Sequence, residues 1–185
     1  MKLSPRLSRR WASACLALCL SACANLAPKP APSLNEGDVR LSGRLSVQVA
    51  GSSGRASGGN AGFELTGSPA AGQLELSTPL GSLVARASWR EGDVMLQTPD
   101  SERTFATLDE LTRELLGEAI PVAALFDWLR GRPWPQAPSQ DLNPGTGFEQ
   151  LGWRIDLSKQ GEGLILAHRS SEPSVTLRAR IESSN

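Results

Sequence analysis

The sequence predicts a mainly β protein: roughly eight to eleven short antiparallel strands that curl into a barrel or half-barrel, with a helical insert closing one mouth. Two patterns predict it. From Val39 onward most of the chain alternates apolar with polar residues at period two, interrupted by Gly-, Pro- and Asn-rich turns. Between Thr107 and Pro133 the spacing of the leucines changes to that of a helix. A sheet with one apolar face needs cover, and this insert is the segment able to supply it. Aromatic residues make up only 5% of the chain, and the strands lack the outward aromatic girdles of an integral outer-membrane barrel.

The elements follow in order. Val39, Leu41, Gly43, Leu45, Val47 and Val49 share one parity, and Arg40, Ser42, Arg44, Ser46 and Gln48 the other, so the first strand is long and half buried. Residues 51–60 are Gly/Ser-rich and read as a hairpin loop. The pattern resumes over 61–66 with Phe63 and Leu65, and again with Leu74 and Leu76 between Gln73, Glu75 and Ser77. Then comes Thr78-Pro79-Leu80-Gly81-Ser82, where Pro and Gly bracket a single leucine and set Leu80 at the tip of a turn. A leucine there either packs back on its own strands or reaches for something apolar outside. Leu83, Ala85, Ala87 and Trp89 share the next face, and Val94 and Leu96 continue the meander after Glu91-Gly92-Asp93. Thr107-Leu108-Asp109-Glu110 fits a capping box, Leu108, Leu111 and Leu115 recur at helical spacing, and Gly117 is a stop. A second helix opens at Pro121 and carries the stripe Val122, Leu125, Phe126 and Leu129, with Trp128 at its edge; Gly131 and Pro133 end it. Residues 136–147 read as a polar loop. Leu151, Trp153, Ile155 and Leu157 alternate in a further strand, a turn spans 159–163, Leu164, Leu166 and His168 share a face, and Val175, Leu177, Ala179 and Ile181 mark the last strand.

The chemistry that is missing narrows the function. His168 is the one histidine, and no Gly-x-Ser-x-Gly nucleophile motif accompanies it. Gly51, Gly54, Gly58 and Gly59 are not followed by a helix pattern, so they form no phosphate-cradling loop. Arg130-Gly131-Arg132 could bind an anion, but it is also an ordinary basic helix end. No enzymatic activity, metal site or nucleic-acid partner is expected. Lys2, Arg6, Arg9 and Arg10 precede an apolar run from Trp11 to Leu20, which is too short to cross a hydrocarbon core of about 30 Å but suits a signal peptide. It ends in Leu20-Ser21-Ala22-Cys23, which resembles a bacterial lipobox. That resemblance implies a diacylglyceryl group on the Cys23 thiol, cleavage before it and acylation of the new amine. No cofactor is expected beyond this covalent lipid. Residues 1–22 are then a signal peptide and 23–37, with Pro28, Pro30 and Pro32, a lipidated N-terminus and tether; 38–182 form the domain. Cys15 and Cys19 leave with the leader, so the mature chain has no disulfide. Four basic and no acidic residues leave too, and the balanced charge of the 185-residue chain becomes about −4. That leaves no polybasic patch for anionic lipid. Ala24 rather than Asp follows the cysteine, which favours the periplasmic face of the outer membrane.

Taken together, the lipobox, the Thr78–Ser82 turn, Gly43-Arg44-Leu45-Ser46-Val47, Ile120-Pro121-Val122, Asp127-Trp128-Leu129-Arg130-Gly131-Arg132-Pro133 and Gly152-Trp153-Arg154-Ile155 resemble the LolB family of outer-membrane lipoproteins. The resemblance covers most of residues 39–182. It implies an open antiparallel half-barrel whose helices lid an apolar cavity, and a monomer that takes acylated lipoproteins from a LolA-type periplasmic carrier and inserts them into outer-membrane lipid. It also implies a protruding loop for that insertion, matched here by Pro79, Leu80 and Gly81. Parity then puts Leu45, Val47, Leu74, Leu76, Trp89, Leu125, Trp128 and Leu129 in the acyl-chain cavity. The alternative from another class is a structural lipoprotein that scaffolds an envelope assembly complex.

Overall fold

The computed structural model describes residues 38–50, 57–143 and 145–182. The predicted signal peptide, the lipidated Cys23 and the tether lie outside the described residues, as do residues 51–56 of the first predicted loop.

Among the described residues, eleven strands form one antiparallel sheet. They are β1 (Val39–Ala50), β2 (Ser57–Gly67), β3 (Gly72–Ser77), β4 (Leu83–Arg90), β5 (Asp93–Gln97), β6 (Glu102–Phe105), β7 (Ser139–Asp141), β8 (Gly147–Gln150), β9 (Trp153–Asp156), β10 (Leu164–Arg169) and β11 (Ser174–Glu182). The spatial order is β6-β5-β4-β3-β2-β1-β11-β10-β9-β8-β7. Two meanders thus run outward from a central β1–β11 pair. The sheet does not close: β6 and β7 are its two edges. The chain must still pass from one edge to the other. Laid flat, eleven strands would span about 50 Å at the usual spacing. The connection from β6 to β7 carries helices α1 (Leu108–Leu116) and α2 (Val122–Trp128). Connectivity alone therefore places the helices over one face of the sheet, as an open half-barrel with a helical insert requires.

That face is the apolar parity of the strands. Val47 and Val49, Phe63 and Leu65, Ala87 and Trp89, Val94 and Leu96, and Val175, Leu177 and Ala179 are all buried. From α2, Val122, Ala124, Leu125, Phe126 and Trp128 are buried against them. Trp89 meets Phe126 edge to face at 5.9 Å, and Trp128 meets Trp153 at 5.9 Å. By contrast α1 rests on β5 and β6 and buries only Leu111 and Thr112.

Several sequence expectations are corrected. β2 begins at Ser57, so residues 57–60 are strand rather than loop: the ladder pairs Gly59 with Val47 and Gly58 with Gln48. Glycine serves at position 58 because its φ is +134° and a Cβ would stand 2.1 Å from the Val47 carbonyl oxygen. β7 and part of β8 fall within the predicted polar loop, where strands of three or four residues carry too little pattern to read. Leu151 leaves the strand. It forms with Gly152 a two-residue hairpin in which both φ angles are positive, 53° and 75°, as a tight β8–β9 turn demands. In β10 the core side chains are Ile165 and Ala167, not Leu164, Leu166 and His168. Four successive apolar residues hid the parity there. His168 faces the other way, its Nδ1 3.1 Å from the Thr176 hydroxyl.

Candidate functional site

The two halves of the sheet are filled differently. Over β8–β10 the space is taken by Trp128, Phe148, Trp153, Ile155 and Ile165, all buried. Over β1–β5 the strands present glycine, alanine and aliphatic residues, and α1 does not fill the gap. The result is a cavity of about 260 Å³ under α1 and the start of α2. Leu45 and Val47 of β1, Leu74 and Leu76 of β3, Ala85 and Ala87 of β4 form its floor. Leu111, Leu115 and Leu116 of α1 and Leu125 of α2 form its roof. Gly58, Gly59 and Ala61 of β2 leave room that larger side chains would occupy.

The lining has no titratable side chain; its polar ones are Asn60 and Thr112. Thr112 is already engaged, accepting from Ile120 N at 3.0 Å and donating to the Asp109 carbonyl at 3.3 Å. No group of three His, Cys, Asp or Glu among the described residues could hold a metal. Such a space can receive apolar chains without leaving a buried polar group unmet.

Of the predicted cavity residues, Leu45, Val47, Leu74, Leu76 and Leu125 line this space together. Trp89, Trp128 and Leu129 do not. Trp89 turns to the β2–β3 turn, where its Nε1 donates to Ser68 O at 3.3 Å and Pro69 O at 3.2 Å. Trp128 is 1% exposed and donates to Gln150 Oε1 at 2.7 Å. Leu129 is buried core at the end of α2. An indole with a polar handle is drawn to an acceptor rather than to a dry cavity.

At the rim the picture changes sharply. Leu80 is 95% exposed, the most exposed large apolar residue among those described. Its turn is firmly built: Gly81 N donates to Thr78 O at 2.9 Å, Thr78 N to Ser82 O at 2.8 Å, and Ser82 N to the Thr78 hydroxyl at 3.1 Å. Gly81 takes φ +84°, and proline at the second turn position fixes the approach. Leu80 is thus held out by backbone geometry. Val84 and Leu115, both lining the cavity, are also exposed, at 43% and 45%. Exposed leucine and valine therefore mark the mouth of the cavity and the turn beside it.

Sequence reasoning missed Gln150. It is 2% exposed; its Oε1 accepts from Trp128 Nε1 at 2.7 Å and from Trp134 N at 2.8 Å, and its Nε2 donates to the carbonyls of Trp134 and Ala137 at 2.8 Å. It ties the end of the helical insert to β8. A buried polar residue in a short, weakly patterned strand gives no sequence signal. Arg130-Gly131-Arg132 proves to be a helix end, because buried Asp127 takes Arg132 Nε at 2.6 Å and lies 3.9 Å from Arg130.

Residues 38–170 match the family described as Outer membrane lipoprotein LolB. The chain belongs to the LolB family. Among curated relatives named Outer-membrane lipoprotein LolB, that of Bordetella petrii is 35% identical over 182 residues, covering 94% of this chain and 90% of the relative. The LolB protein of Chromobacterium violaceum is 33% identical over 144 residues, covering 76% and 77%. That of Neisseria meningitidis is 28% identical over 171 residues, covering 90% and 86%. As a LolB family member the chain is an outer-membrane lipoprotein that serves lipoprotein localisation. No helix among the described residues is long and apolar enough to cross a membrane.

Proposed function

We propose that the cavity receives the acyl chains of a lipoprotein delivered by a LolA-type carrier, and that the Pro79-Leu80-Gly81 turn guides them into the outer membrane. The observation that carries this reading is an apolar cavity whose exposed rim residues adjoin a turn built to hold one leucine in solvent. Burying acyl chains is worth about 0.8 kcal/mol per CH₂, so a cargo with on the order of forty CH₂ groups cannot pass through water. Transfer must run from cavity to cavity and then from cavity to bilayer. No bond is made or broken, and no nucleotide is used. Leu80 entering the bilayer contributes about 1.5–3 kcal/mol, enough to orient the mouth but not to anchor the protein. The anchor is the lipid on Cys23, and the protein acts as a monomer.

The cavity of about 260 Å³ lies below the usual ~300–1,000 Å³ of pockets for drug-sized ligands. Acyl chains therefore need it to widen, and α1 is the part that yields. The test is transfer of a radiolabelled lipoprotein from the carrier to the protein and on to outer-membrane vesicles. Leu80→Glu should fold normally, accept cargo, and deliver it at least tenfold more slowly, the loss expected for one leucine's burial. Native delivery by that variant would refute the role of the turn. Failure of the parent protein to accept cargo would favour the scaffolding role instead.

A further inference from the structure

The sheet face opposite the cavity holds Arg44 on β1 and Arg178 and Arg180 on β11, all exposed. Arg44 and Arg180 are direct partners in the β1–β11 ladder, and Arg178 lies two pairs along, on the same face and opposite Ser46. Like charges directly opposite one another destabilise an antiparallel pair. Among the described residues none of the three has an ion-pair or side-chain hydrogen-bond partner. Nearby carboxylates are taken: Glu64 by Arg40 at 2.8 Å and Glu75 by Arg86 at 2.6 Å. Glu182 is the same distance along β11 from Arg180 as Arg178 is, on the other side and opposite Ser42, and it lines a groove with the three arginines, which outnumber it. The sequence gives no hint of this cluster, because more than a hundred residues separate Arg44 from the other two.

The arginines share this single groove of about 750 Å³ with Thr78, Pro79 and Gly81; Glu64 and Glu75, each already paired with an arginine, and Glu182 line it too. The row Ser77, Gly62, Arg44, Arg180 crosses four neighbouring strands at about 4.8 Å a step. Gly62, with no side chain, leaves the floor open between the turn and the arginines. When Leu80 enters the acyl region, Thr78, Pro79 and Gly81 bring the near end of the groove to the headgroup layer, which is about 5–8 Å deep on each side of the hydrocarbon core, and long arginine side chains extend its reach. The phosphates lie in that layer, and guanidinium groups are suited to phosphate by their planar, forked donors.

We propose that Arg44, Arg178 and Arg180 form a binding site for the phosphate groups of membrane phospholipids, which seats the Leu80 turn at the bilayer surface. The inference rests on the membrane role of Leu80 proposed above. A bound phosphate offsets the Arg44–Arg180 repulsion, so the site is held ready at the expense of the empty state. Each arginine should strengthen seating on the order of fivefold, the usual contribution of a basic residue at an anionic surface.

The experiment uses the full, lipid-anchored chain in vesicles and reads hydrogen exchange of the Thr78–Ser82 amides as the measure of seating. One set of vesicles contains phosphatidylethanolamine and phosphatidylglycerol; the other carries the same acyl chains on phosphate-free galactosyl diacylglycerol. The parent should show slower exchange on the phospholipid, and Arg44→Gln/Arg178→Gln/Arg180→Gln should abolish that difference. The single change Arg180→Gln should raise rather than lower the unfolding midpoint, which guards against misfolding as the cause. Equal protection of the parent on both vesicles would overturn the proposal. So would a triple variant that seats like the parent yet no longer accepts cargo from the carrier, since the site would then face a protein. Leu80→Glu separates the two readings: if it seats as well as the parent while the arginine dependence persists, the turn's role fails and the phosphate site stands.

Discussion

At the scale of single residues, Leu80 and Gln150 are opposite cases. Leu80 contributes nothing to the core, and its side chain does not hold the turn, whose backbone is fixed by Pro79, Gly81 and the Thr78 hydroxyl. Its exposure is therefore a functional expense without a structural reason. Gln150 is the reverse, a polar side chain whose amide meets four partners in the interior. Replacing it with leucine keeps the volume and strands the Trp128 N–H, the Trp134 N–H and two carbonyls. An unmet buried polar group costs about 1–3 kcal/mol. Gln150→Leu should therefore lose about 3 kcal/mol of stability, allowing for relaxation of some partners, as measured by urea unfolding. A loss under about 1 kcal/mol would mean that the network is not structurally important. Both residues show what a sequence discloses. Leu80 stands out because an apolar residue sits where Pro and Gly announce a turn. Gln150 does not, since its role depends on a tryptophan 22 positions away.

At the scale of elements, the helical insert divides into a fixed and a loose part. α2 is buried along nearly its whole length, so its packing should hold it in place. α1 is short, and helices of its length are marginal without tertiary support. Its own cap helps: Thr107 Oγ1 accepts from Glu110 N at 3.1 Å, and Glu110 reaches back to Ala106 N at 3.0 Å. Besides the packing of Leu111, the Arg103–Glu114 ion pair ties it to the sheet edge. The hydrogen bond from Arg103 holds the Glu114 carboxyl below its ordinary value. A depressed folded-state value means that this tie is present above the unfolded carboxyl's pKa of about 4.3 and fades as pH falls through the folded one. Amides of α1 should accordingly be less protected from hydrogen exchange than those of α2 at neutral pH, and should lose further protection below about pH 4. Glu114→Gln should reduce that acid-dependent loss, and an α1 as protected as α2 in the unloaded protein would contradict a yielding lid. The capping box was legible in the sequence, as was the apolar stripe of α2. The unequal hold on the two helices was not, because it depends on which strands each one meets.

At the scale of the whole molecule, the decisive feature is that the sheet stays open between β6 and β7. Alternation predicted strands and an apolar face, but periodicity is the same for a closed barrel and a half-barrel; closure depends on which strands find each other across the sheet. An open sheet leaves the cavity's capacity adjustable, since no ladder has to break for α1 to move away. The cavity's chemistry then fixes what loading should look like. Its lining is apolar and carries no titratable group, so affinity should come from contact with methylene groups alone. Each CH₂ buried is worth about 0.8 kcal/mol, or about fourfold in affinity. A series of fluorescent fatty acids titrated against the protein should tighten about fourfold per methylene for short chains and then level off once the cavity is full. The affinity should also be nearly flat from about pH 6 to 9, where carboxylates stay charged and lysine and arginine stay protonated. Leu76→Glu, which puts a carboxylate among the lining leucines, should flatten the dependence on chain length as well as weaken binding, because a charge in the cavity keeps water there. A parent protein whose affinity ignored chain length would locate the acyl chains elsewhere, and one whose affinity rose without levelling off would mean that the open edge lets the cavity grow with its cargo.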